Sequence, residues 1–192
     1  MENEKTFWQR LWTPTKWKWL LGIPIGGFIA VIVGVVGLVS FNAVMHATNE
    51  NEFCYGCHIG MDTIVEEYQE SIHFKNEKGI RAGCSDCHVP HEFFPKMKVK
   101  IIALKDVYHM AVGTYNLDNF EEHRNDLAEH VYETMKARDS QECRHCHRVE
   151  NMDLAMQPQR ASSKHSAEYM AKYDVTCVDC HQGIAHKRPV IE

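Results

Sequence analysis

The sequence predicts a mainly α chain, with one N-terminal transmembrane helix followed by a helix-and-loop domain. Three observations predict it. Residues 20–45 carry no Asp, Glu, Lys or Arg. Two later stretches space their apolar residues at helical intervals, and no segment alternates as a half-buried strand does. All eight cysteines fall into short motifs of a single form.

The run over 20–45 is long enough to cross a hydrocarbon core as a helix. Lys5, Arg10, Lys16 and Lys18 precede it, opposed only by Glu2 and Glu4. Basic residues stay on the cytoplasmic side, which predicts a cytoplasmic segment 1–19, a single-pass anchor 20–45 and an external domain 46–192. Trp12, Trp17 and Trp19 stand where an interfacial aromatic belt would lie. A cleaved leader would have a shorter apolar core and a small-residue cleavage site, and Asn42 to Ala47 matches one poorly. Pro24 is tolerable in a membrane helix. Gly22, Gly26 and Gly27 offer a small-residue face to a partner helix, which makes a homo-oligomer one of the expected assemblies.

The motifs are Cys54-Tyr-Gly-Cys57-His58, Cys84-Ser-Asp-Cys87-His88, Cys143-Arg-His-Cys146-His147 and Cys177-Val-Asp-Cys180-His181. Cys-x-x-Cys-His is the spacing of c-type haem attachment, in which both thiols become thioethers and the histidine ligates iron. Zinc sites and redox dithiols share the cysteine pair but need no histidine directly after it. Four covalently bound haems c therefore follow. Such attachment belongs outside the cytoplasm. Each haem is a large apolar body, so the domain is expected to depend on its haems for a core. The formal net charge of −5 gives no sign of nucleic-acid binding.

Between the second and third motifs, Pro95–Met110 reads as one amphipathic helix and Glu121–Ala137 as another, capped by Asp118 or Asn119. The rest resembles a duplicated two-haem unit. His73 and His91 accompany the first two motifs as His165 and His186 accompany the last two. These four are the candidate distal ligands, and His91 and His186 lie so close to their own motifs that each is expected to serve another haem. Met61, three residues after His58, is a further candidate for the first iron, since thioether ligation is the other common choice. His145 is assigned to the surface, His123 and His130 to a solvated or propionate-facing role, and His46 and His109 to no iron.

With these runs in view (AsnGluPheCys54, SerIleHis73, Cys87HisValProHis91GluPhe, Pro95LysMet97, SerGlnGluCys143 and Cys180HisGlnGlyIleAlaHis186Lys) the chain resembles the NapC/NirT family of membrane-anchored tetrahaem cytochromes, most of all its NapC branch. The resemblance implies a quinol dehydrogenase of the inner membrane. Menaquinol or ubiquinol from the membrane pool would be oxidised at the periplasmic face, and electrons passed to a periplasmic reductase, nitrate reductase first. A nitrite reductase, or several reductases served by one hub, are the alternatives. The resemblance also supports His73, His91, His165 and His186 as distal ligands. In the NrfH branch a methionine two residues after the first haem histidine takes that histidine's place; here residue 60 is Gly and the methionine is Met61, so His58 and Met61 both stay candidates. An Asp and a Lys after the second motif line the quinol pocket of relatives, and Asp106 and Lys100 are the best matches. Read without the resemblance, Lys96, Lys98, Lys100 and Lys105 also make a basic stripe suited to anionic headgroups. A passive electron-carrying anchor subunit is the competing function. A terminal reductase fits less well, because candidate second ligands are plentiful.

Overall fold

The structure is a computed structural model that describes residues 5–17, 20–57, 61–114 and 118–188. It divides into two compact units, Met1–Thr48 and Asn49–Glu192. Among the described residues there are twelve α-helices, two short 3-10 turns and no strand.

In the first unit α1 (Phe7–Leu11) opens with a capping box. The Thr6 amide donates to Gln9 Oε1 at 2.9 Å, and the Gln9 amide donates to Thr6 Oγ1 at 3.4 Å, satisfying two orphan donors at once. The apolar run does not become helical at its first residue. Leu21 (φ 51) and Gly22 (φ 75) turn left-handed, and Pro24 is extended at φ −60, ψ 146. A residue before proline avoids the α region, so the helix starts only after Pro24. The long apolar helix α2 is Ile25–Ala47, which begins and ends a few residues later than the expected 20–45. Its 23 residues rise about 35 Å, sufficient for a hydrocarbon core of about 30 Å. Its Val, Ile and Leu side chains are exposed, as lipid contact requires. Asn42 donates Nδ2 to Leu38 O at 2.8 Å, so its amide finds a partner inside the helix. Gly26 is needed for a close approach: a Cβ there would meet Leu11 and Trp12 at 3.1–3.2 Å.

The second unit carries α3 (Asn51–Cys57), α4 (Met61–Glu70), α5 (Cys84–His88), α6 (Phe93–Ile102), α7 (Leu104–Ala111), α8 (Phe120–Ala137), α9 (Gln141–Cys146), α10 (Gln159–Lys164), α11 (Ala167–Tyr173) and α12 (Cys177–Cys180). Helix α8 matches its expected span within a residue. Asn119 occupies its N-cap position, but no side-chain cap bond forms and its Nδ2 donates to Thr114 O at 3.0 Å instead. The single helix expected over Pro95–Met110 is two. The Asp106 amide bonds Ala103 O at 3.0 Å, an i→i+3 link that tightens the backbone and interrupts the ladder. No proline or glycine stands at that break.

The side chains of this unit make almost no core of their own. Tyr68 and Val178 are its buried hydrophobic side chains among the described residues, while Ile101, Leu104, Phe94 and Ile80 are more than 60 % exposed. A domain this long ordinarily buries much of its apolar surface. The elements are held instead by polar ties. Tyr68 donates its hydroxyl to Ala82 O at 2.5 Å, closing the loop that carries His73. Arg138 bonds Glu142 at 2.7 Å and Glu92 at 3.0 Å, and Lys136 bonds Asp179 at 2.8 Å, linking α8 to α9, α12 and the residue after His91.

Candidate multihaem centre

Each Cys-x-x-Cys run forms a short helix: α3, α5, α9 and α12. One turn of helix sets the two sulfurs on neighbouring faces. Two devices recur in both halves. The residue three before each leading cysteine of α3 and α9 reaches across to cap the partner motif. Asn51 Oδ1 accepts from the Cys84 amide at 2.9 Å, and Ser140 Oγ accepts from the Val178 amide at 3.1 Å. The aspartate inside the second motif of each half reaches back to the backbone at its own N-cap: Asp86 accepts from the Gly83 amide at 2.7 Å, Asp179 from the Thr176 amide at 2.8 Å. The same two contacts thus occur once in each half of the unit.

The caps bring the leading cysteines together. In the unattached chain the Cys54 thiol bonds Cys84, which holds Cys54 down to about 7 against the burial and pushes Cys84 up. Cys143 and Cys177 repeat the arrangement: Cys177 is lowered to about 6 by its bond to Cys143, and Cys143 is raised. Helix α5 packs on α9, and burial, then the charges of Asp86 and Cys146, push the Cys87 thiol up. The motifs therefore follow one another in space as they do in sequence, first beside second, second beside third, third beside fourth.

The histidines fall into facing pairs. His73 faces His147 with ring centroids 6.1 Å apart, His88 faces His186 at 6.3 Å, and His165 faces His181 at 5.9 Å. Each pair joins one motif histidine to one remote histidine. Metal–imidazole bonds run roughly 2 Å, as for zinc, so centroids about 6 Å apart leave room for one iron between two rings. An open cleft of about 440 Å³ lies at the third motif, with Cys146, His147, Arg148, Asn151 and Met152 in its wall.

Neighbouring residues fix two of the remote rings. His165 sits between α10 and α11, and its Nδ1 donates to Gln157 Oε1 at 2.6 Å. His186 Nδ1 donates to Ile64 O at 3.2 Å. A proton on Nδ1 leaves Nε2 unprotonated, the tautomer that can bind metal. Burial favours the neutral ring at His186.

His91 is placed differently. It stacks on His145 at 3.8 Å with rings 12° from parallel, and its buried Nε2 has no hydrogen-bond partner. His145 is exposed, as expected of a surface residue, but the stack was not legible in the sequence. His58 and the side chains of Cys57 and Met61 lie outside the described residues, so the ligands expected for the first haem do too. Lys100 lies in the last turn of α6, where burial lowers its amine and the Cys54 sulfur opposes that shift, which puts it within electrostatic reach of the first motif. Asp106 lies in the first turn of α7 and is exposed. Sequence reading missed Asn51, Ser140, Gln157, Glu67 and Arg124. The equal offset of Asn51 and Ser140 from their cysteines was the one available signal.

Residues 16–191 match the NapC/NirT cytochrome c family, N-terminal region. The chain is 41% identical over 179 residues to cytochrome c-type protein NapC of Escherichia coli K12, covering 90% of this chain and 88% of that one. It is 45% identical over 157 residues to a putative tetraheme cytochrome-c type protein of Allochromatium vinosum, 81% of this chain and 84% of that one. It is 42% identical over 169 residues to the denitrification system component NirT of Stutzerimonas stutzeri, 86% and 83%. No solved structure matches the chain.

Proposed function

This chain belongs to the NapC/NirT cytochrome c family and is a tetrahaem c-type cytochrome of electron transport; from that premise we propose that it oxidises quinol at the periplasmic face of the inner membrane and hands the electrons to a periplasmic reductase. The observation that carries this reading is the spatial succession of the four motifs. It begins at the motif that follows the apolar helix α2 most closely in sequence and ends at the motif furthest along the chain.

Haem c, when bound, supplies one-electron carriers at each motif. The paired histidines would hold them: His88 with His186, His147 with His73, His181 with His165. Quinol oxidation releases two electrons and two protons, so the site also needs a donor to orient the quinol oxygen and an acceptor for its proton. Lys100, partly buried near Cys54, supplies the first role, with its amine hydrogen-bonded to the quinol oxygen. Asp106, one helix later, supplies the second, with its carboxylate taking the two protons in turn and passing each to water. The N-terminus would remain cytoplasmic and residues 46–192 periplasmic, following the basic flank of the anchor.

Nitrate reductase is the first recipient, as the resemblance to the NapC branch implies, and a nitrite-reducing or multi-reductase system is the second reading, supported by the similarity to a denitrification system component. The test is direct. Purified full-length chain in detergent is mixed with a reduced menaquinol analogue and haem absorption is followed. Reduction without any other subunit is the expected result. No reduction, in protein carrying all four haems, would leave only the passive anchor.

A further inference from the structure

The segment that carries His186 has no regular helix to support it. Residues 182–188 are irregular, and Gly183 turns left-handed at φ 74 with Arg188 Cβ and N only 3.3 Å from where its own Cβ would be. Yet His186 is held in register with His88. The grip comes from a charged pair contributed by two distant helices. Glu67 of α4 accepts the Lys187 amide on Oε2 at 2.7 Å. Arg124 of α8 donates Nη2 to the Lys187 carbonyl at 2.9 Å, and the same Nη2 donates to Glu67 Oε2 at 2.5 Å. Both backbone polar groups of Lys187, the residue after His186, are thus taken by one ion pair whose side chains are only 4 % and 12 % exposed. Glu121 steadies the other end of the guanidinium at 3.2 Å. One turn before Glu67 on the same helix, Ile64 accepts from the His186 ring. Helix α4 therefore fixes both the ring and the backbone that carries it.

We propose that Glu67 and Arg124 are positioning residues for the second haem: their ion pair clamps Lys187 so that Nε2 of His186 stays on the iron held by His88. This rests on the reading of His186 as a distal ligand. Outer partners of a metal-binding histidine set its orientation and are costly to lose. Here the partner acts one residue away through the backbone, because the tail has no secondary structure of its own.

The experiment uses full-length, haem-loaded chain reduced under CO, counting CO-reactive haems per chain. His186→Ala should gain one CO-reactive haem over the unsubstituted protein; if it gains none, the ligand reading itself is wrong. Given that gain, Arg124→Ala should also gain one, with haem content unchanged. The double variant Arg124→Ala/His186→Ala should gain one and not two, since both changes open the same iron. Glu129→Gln, exposed on the same helix and outside the clamp, should gain none. A count for Arg124→Ala equal to the unsubstituted chain, or two for the double variant, overturns the proposal. Should Arg124→Ala fail to assemble, Arg124→Met decides by the same count, since it keeps most of the side chain's length while removing its charge and its donors.

Discussion

Single residues decide whether each haem can be reached and reduced. His73→Ala should keep four covalent haems but convert one low-spin iron to high spin, read by electron paramagnetic resonance against a haemochrome count; an unchanged low-spin signal would remove His73 from the ligand set. Asp106→Asn should slow quinol oxidation about 100-fold or more, the range of a lost general base, while dithionite still reduces every haem. Equal quinol rates in the two proteins would take Asp106 out of the mechanism. Glu67 adds a pH dependence. Burial opposes its charge, but the Arg124 and Lys187 bonds outweigh it and hold the carboxyl below its ordinary value of about 4.3. A carboxyl lowered on folding stabilises the fold above that ordinary value, and the stabilisation is lost as pH falls through the folded one. Thermal stability should therefore fall on acidification below about pH 5, and Glu67→Gln should flatten that slope. Identical slopes would show that the carboxylate contributes nothing there. At this scale the motif histidines were legible because ligand and cysteine share one pentapeptide. Glu67, Arg124 and Gln157 were not, because their partners lie 120, 63 and 8 residues away with no spacing rule between them.

Short helices carry the attachment motifs, and their ends are where they are vulnerable. A helix of four or five residues cannot stabilise itself and depends on capping. Ser140, fully buried and left-handed at φ 47, ends the turn after α8 and caps α12. Ser140→Ala removes that acceptor and should cost about 1 kcal/mol, with Asn51→Ala costing a similar amount at α5. Calorimetric melting of the haem-loaded protein would measure both, and unaltered melting of both variants would reject the shared role. The longer elements were read from periodicity with mixed success. Helix α8 was legible because Leu127, Val131 and Met135 keep a helical interval over its length. The division between α6 and α7 was not, because a change from i→i+4 to i→i+3 bonding at Ala103 leaves the apolar spacing intact. The start of α2 after Pro24 could have been read from the proline itself.

For the whole molecule, the scarcity of buried side chains in the second unit is the governing fact. Apolar burial is the main favourable term in folding, and here the polypeptide contributes little of it. The porphyrins must supply the remainder. Replacing all eight cysteines by alanine should leave the second unit without a cooperative unfolding transition and open to proteolysis within 49–188, while α2 still inserts in membranes. A cooperative, protease-resistant domain in that variant would show that the chain has a core of its own. The remote histidines also connect the halves. His73 of the first half faces a motif of the second, and His186 of the second faces a motif of the first, whereas His165 stays within its half. The caps repeat between the halves, but the histidine pairing does not.

The amino-acid order alone determined what is attached and how often, and that an apolar span precedes it, because thioether chemistry and membrane insertion are both read from contiguous residues. The three-dimensional arrangement alone decided which remote imidazole meets which motif, which motif neighbours which, and what holds an unstructured tail in place. Those outcomes depend on contacts between segments up to 122 residues apart, and distance along a chain carries no rule for distance in space.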